Sequence, residues 1–168
     1  MLRDALIALL SGYLVAHGTI AAAAESTGAR PTAASAQKNR KAAAEQPYGR
    51  EGDPRKVERT IRIDMSDAMR YFPDQVRVKR GATIRFSLRN NGESPHEMVI
   101  GTMDELKQHA ELIRMHGEMP RDAANVAHVA PGGTGRLTWQ FTRAGEFYYG
   151  CLIPGHFDAG MIGTIVVR

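Results

Sequence analysis

Cys151, His156 and Met161 fall within eleven residues in the run GEFYYGCLIPGHFDAGMIGTIVV, and Cys151 is the only cysteine among 168 residues. The pattern Cys-x4-His-x4-Met puts a thiolate, an imidazole and a thioether between two strand-like segments. A thiolate bonds strongly to copper, imidazole suits both of its common oxidation states, and a weak thioether helps to tune the potential. A mononuclear copper site of this kind needs one more imidazole. His96 in NNGESPHEMVI, 55 residues before Cys151, can supply it from the start of another strand.

A lone cysteine cannot form an intramolecular disulfide. In an oxidising compartment a free thiol is open to oxidation and to pairing between molecules, and metal ligation removes that hazard. A buried inert thiol is the other use such a residue finds. The ligand reading gains weight from its neighbours. Pro154 and Gly155 let the chain fold back and present His156 beside Cys151, so that Cys151 would end one strand and Met161 would open the next.

The elements that must hold these groups are strands. Val57, Ile61 and Ile63 mark a first one, and Val76 and Val78 alternate with Arg77 and Lys79 in a second. Ile84, Phe86 and Leu88 alternate with Arg85, Ser87 and Arg89 before the turn signal Asn90-Asn91-Gly92. Glu97 to Ile100, Val126 to Val129, Leu137 to Phe141, Phe147 to Gly150 and Ile162 to Val167 complete the set. Period-two runs at this spacing, without a βαβ rhythm, predict an all-β fold, an antiparallel two-sheet β-sandwich. One segment departs from it. Met103 to His116 carries helix formers throughout and stops before Gly117, a C-cap signal. It is expected as a short helical insertion on one edge of the sandwich, with Leu106, His109, Ile113 and His116 on one face.

The N-terminus predicts export. Arg3 precedes the apolar stretch Ala5 to Ala16, and Ala21 to Ala24 offers small-residue cleavage sites, so residues 1–24 read as a signal peptide or an uncleaved anchor. Residues 25–56 are rich in Ala, Gln, Gly, Pro, Arg and Lys with one aromatic, Tyr48, and are expected to be a disordered arm. The domain is expected over residues 57–168. The net charge is +4. Residues 25–56 hold seven Lys/Arg against four Asp/Glu, and residues 57–168 fourteen against thirteen. Basicity thus sits mainly in the arm, which argues against a nucleic-acid-binding domain. A periplasmic monomer with no membrane span in its mature form is expected.

The run YYGCLIPGHFDAGMIGTIVV, with NNGESPHEMVI upstream, resembles the cupredoxins: azurin, plastocyanin, auracyanin and rusticyanin. The resemblance covers residues 57–168. It implies a Greek-key sandwich with one type-1 copper held by His96, Cys151, His156 and Met161. The loop spacings are more similar to those of rusticyanin and auracyanin than to that of plastocyanin. The helical insertion, with its histidines and methionines, resembles periplasmic cupredoxins linked to copper tolerance. Pro95, with Ser94 before it, stands next to the first histidine and leaves open what braces that imidazole.

Two functions follow as expectations. The first is a carrier of single electrons between redox partners such as a cytochrome. The alternative is copper tolerance, in which the site sequesters or buffers periplasmic copper. An enzyme is not expected, because multicopper oxidases need further histidine clusters and more domains than 112 residues supply. A binuclear copper centre would need a second cysteine. His109, Met115, His116 and Met119 are soft ligands that raise a second Cu(I) site as a possibility, against ordinary packing. Leu152, Ile153, Pro154 and Phe157 are expected to make an apolar patch about His156, either for a docking partner or to shield the metal from water.

Overall fold

In the computed structural model the described residues are 45–117 and 123–168. The expected signal peptide and most of the expected arm lie outside them, as does Met119. Among the described residues ten strands form two five-stranded sheets around one core. They are β1 (Arg50–Glu51), β2 (Arg59–Ser66), β3 (Arg70–Phe72), β4 (Gln75–Val78), β5 (Thr83–Asn90), β6 (His96–Gly101), β7 (Val126–Val129), β8 (Thr134–Gln140), β9 (Gly145–Gly150) and β10 (Ile162–Val167). One sheet runs β1-β8-β5-β2-β3 and the other β4-β10-β9-β6-β7.

Alternation puts the core where the sequence indicated. Ile61, Ile63 and Met65 of β2, Ile84, Phe86 and Leu88 of β5, and Ile165 and Val167 of β10 point inward and are buried. Phe86 and Phe141 meet edge to face, with ring centroids 6.3 Å apart, and Tyr71 meets Tyr149 likewise at 5.0 Å. The strands are not all antiparallel, however. β2 pairs with β5 in parallel, and so does β4 with β10. Period-two alternation reports which face a residue takes and is blind to the direction of the neighbouring strand.

The expectation of a disordered arm through residue 56 is corrected over its last part. Arg50–Glu51 pairs with β8. Tyr48 is 4% exposed, stacks on Trp139 at 5.4 Å and accepts the indole N–H on its backbone carbonyl at 3.1 Å. One aromatic therefore anchors a segment whose remaining composition could not build a core.

The insertion is a helix, α1 (Met103–His116), with the predicted bounds. Thr102 and Glu105 form a reciprocal capping box at its start, and Gly117, at φ 82°, ends it. It lies over the outer face of the second sheet and not on an edge, with Leu106 packed on Val99 and Leu152. This explains why β6, HEMVIG, is buried at all six positions: the sandwich core covers one face, and α1 with the ligand loop covers the other. Ile113 joins that packing while His116 is exposed, so the expected helix face is buried only in part.

Candidate metal centre

The site forms at one end of the sandwich, where β6 begins and the β9–β10 connection loops over. Cys151 follows β9 directly. Its amide donates to the Met161 carbonyl at 3.1 Å, and the Met161 amide donates to the His156 carbonyl at 3.0 Å, so the two ends of the loop are tied together. Gly155 and Gly160 hold φ of 85° and 86°, which an L side chain adopts only under strain, and they turn the loop back on itself. Arg70 reaches across from β3 and donates to the Ala159 carbonyl at 2.9 Å.

His96 is positioned by a separate clamp. Asn90, fully buried, donates through Nδ2 to the carbonyls of Ser94 (2.7 Å) and Val129 (3.2 Å), and its Oδ1 accepts the Gly92 amide at 2.9 Å. The Asp67 carboxylate accepts from the amides of Glu93 (2.7 Å) and Ser94 (3.2 Å) and lies 3.1 Å from His96 Nε2. Those amide bonds, first that of Glu93, hold the Asp67 carboxyl below its ordinary range.

The consequence is a convergence of side chains remote in sequence. One ligand atom each from His96, Cys151 and His156 lies within 4.8 Å of the other two. Cys151 Sγ is 3.4 Å from His156 Nδ1, and the imidazole centroids of His96 and His156 are 5.1 Å apart. Met161 is fully buried in the same core as Cys151. Burial pushes the Cys151 thiol up to about 11, although the amides of Glu97 and Ile153 pull the other way. Burial, and then the neighbouring His96, lower the pKa of His156.

These residues fit copper on one observation above the rest. His96 Nδ1 is buried without any hydrogen-bond partner, and a buried polar atom left unpaired costs about 1–3 kcal/mol. It belongs to an imidazole packed among a thiol and a second imidazole, which is the soft donor set that copper takes.

The family model for copper binding proteins of the plastocyanin/azurin family matches residues 57–168. This chain is a cupredoxin. It is 49% identical over 125 residues to the copper-resistant cuproprotein CopI of Rubrivivax gelatinosus, covering 74% of this chain and 76% of that protein. To CopI of Pseudomonas aeruginosa it is 30% identical over 152 residues, with 73% and 83% covered. Among solved structures, reduced auracyanin from Roseiflexus castenholzii superposes with a TM-score of 0.58 at 24% identity, covering 67% of this chain and 98% of its own. Auracyanin B gives 0.59 at 19%, covering 74% and 96%. At such identities the auracyanins show the fold, and the cupredoxin binds copper as its family does.

Besides Asn90, which the sequence showed only as a turn signal, sequence reasoning missed two carboxylates at the site. Asp67 is one. Glu97 is the other: it is 6% exposed, and its carboxylate accepts the Leu152 amide at 2.9 Å and meets His128 Nδ1 at 2.8 Å. It thereby joins the strand of His96 to the chain just after Cys151. A charged residue in an otherwise apolar strand was the available signal. The apolar patch is smaller than expected. Leu152 is buried under α1 and Phe157 packs into the same cluster, which leaves Pro154 exposed and Ile153 half-buried. Of the second-site candidates, Met119 lies outside the described residues. Met115 and His116 are exposed, and among the described residues no other three His, Cys or carboxylate groups come together.

Proposed function

We propose that this cupredoxin is an exported copper-tolerance protein that binds one copper ion through His96, Cys151, His156 and Met161 and so buffers or sequesters it. The observation that carries the reading is the unpaired, buried Nδ1 of His96 beside Cys151 and His156. It is supported by 49% identity to a protein named a copper-resistant cuproprotein. Bound copper would supply a redox couple that exchanges a single electron. The chain's own residues do the rest. Asn90 and Asp67 hold His96 in place, the Cys151–Met161 backbone pairing fixes the loop, and Leu152 with Phe157 packs it against α1. No substrate is turned over, and residues 1–24 act as the export signal.

Electron carriage between redox proteins is the second reading. It is favoured by the hydrogen bonds that fix His96 and close the Cys151–Met161 loop, since a rigid donor set would rearrange little during transfer. One pair of experiments separates the two. Purified protein given Cu(II) turns blue or green by thiolate-to-copper charge transfer, and Cys151→Ser does not. Deletion of the gene then makes cells copper-sensitive with normal respiration. Impaired respiration with unchanged copper sensitivity would favour the electron carrier, and a colourless protein carrying a full complement of copper would refute the ligand set common to both.

A further inference from the structure

Asp67 lies in the turn between β2 and β3, 29 residues before His96. Oδ2 accepts the Glu93 amide, and Oδ1 takes both the Ser94 amide and His96 Nε2. The loop closes tightly around this carboxylate: a Cβ on Gly92 would stand 2.2 Å from Asp67 Oδ1. A carboxylate can only accept, so the proton of a neutral His96 must sit on Nε2, and the Nδ1 lone pair is left free. That Nδ1 is the buried atom with no partner. We propose that Asp67 is a positioning residue that presets His96 as a metal acceptor through Nδ1 and whose charge favours oxidised over reduced copper. The inference rests on His96 being a ligand. A carboxylate hydrogen-bonded to a metal-binding imidazole fixes its tautomer and makes it a stronger donor. Cu(II) carries one more positive charge than Cu(I) and gains more from the nearby negative charge. For a copper-buffering protein this means tighter retention of the oxidised ion.

Three readouts on the full chain test it: nitrogen NMR of His96 in the metal-free protein, Cu(II) and Cu(I) affinities by chelator competition, and the reduction potential of the copper-loaded protein. The wild type shows His96 as the Nε2–H tautomer alone. Asp67→Ala gives a tautomer mixture, and its Cu(II) affinity falls by about 10- to 100-fold. Asp67→Asn, whose Oδ1 can still accept from Nε2, keeps the tautomer but loses the charge. Its potential rises above that of the wild type, and its Cu(II)-to-Cu(I) affinity ratio falls. The proposal is overturned if Asp67→Ala keeps the pure Nε2–H tautomer with a Cu(II) affinity within about twofold of wild type. It is equally overturned if the Asp67→Asn potential does not rise, a result that decides alone should the alanine variant not fold. If the wild-type His96 resonances fail to move when Cu(I) is added, it is the ligand assignment that falls and not the role of Asp67 in setting the tautomer.

Discussion

Proton release is the most quantitative consequence of how the thiol is buried. In the folded, metal-free protein the Cys151 pKa is raised from 9.0 to about 11, mainly by burial. At neutral pH only about one molecule in ten thousand then carries the thiolate, and the two-unit shift corresponds to about 3 kcal/mol against forming it. Copper binding must displace that proton, so the apparent affinity rises about tenfold per pH unit above neutrality. The His156 pKa is lowered and its imidazole is neutral there, so it adds to the proton count only in acid. The discriminating region is alkaline. An exposed thiol would let the slope flatten near 9, whereas this one sustains it to about 11. The same shift acts on stability. The folded pKa lies above the unfolded one, so the contribution is complete below about 9 and is lost as pH climbs to about 11. Chelator competition across that range gives the slope, and the thiolate absorbance of metal-free wild type minus that of Cys151→Ser gives the titration. A midpoint near 9 with a slope that vanishes there would refute the burial argument.

Three further outcomes can be checked. Tyr48→Ala removes the ring stacked on Trp139 and lowers unfolding free energy by about 3 kcal/mol or more; denaturant titration measures it, and an unchanged midpoint would mean the segment from residue 46 is not part of the folded unit. Gly163→Ala puts a Cβ 2.2 Å from the Tyr149 ring, whose hydroxyl is held by the Pro73 carbonyl; overpacking costs about 1–3 kcal/mol, read as a lowered melting temperature. Glu97→Ala leaves the buried Leu152 amide without its carboxylate, which costs about 1–3 kcal/mol and, by loosening the chain next to Cys151, shifts the charge-transfer band of the copper-loaded protein; an unmoved band would show that Glu97 matters to the fold alone.

What could be read from the sequence divides by range. Cys151, His156 and Met161 share one loop, so their spacing alone suggests a site, and α1 shows both its cap and its stop in consecutive residues. The long strands announce themselves by alternation. β3 does not, since Arg70, Tyr71 and Phe72 are too few to establish a period before Pro73. β1 has two residues and hides in a stretch of glycine, proline and charged residues. Asp67 was illegible for another reason: its role depends on a partner 29 residues away, and a carboxylate in a turn looks the same in sequence whether it faces water or an imidazole. Glu97 stood out as a charge in an apolar strand, but its partner Leu152 is 55 residues away and nothing local names it.

The arrangement also explains how one chain can carry a lone thiol and still present it to copper. Burial under the β9–β10 loop keeps Cys151 protonated and therefore poorly nucleophilic, because oxidation and disulfide exchange proceed through the thiolate. The same burial would make the site a weak metal binder if the ligands had to be gathered at the moment of binding. They are not gathered then. The Asn90 clamp and the Asp67 carboxylate hold His96, the Cys151–Met161 backbone pairing closes the loop, and Arg70 ties that loop to β3. The ordering cost is met when the sandwich folds, so metal binding needs to overcome little beyond one proton. A protein that keeps its thiol inert until copper arrives suits the tolerance reading, in which it must persist without metal and respond when metal appears.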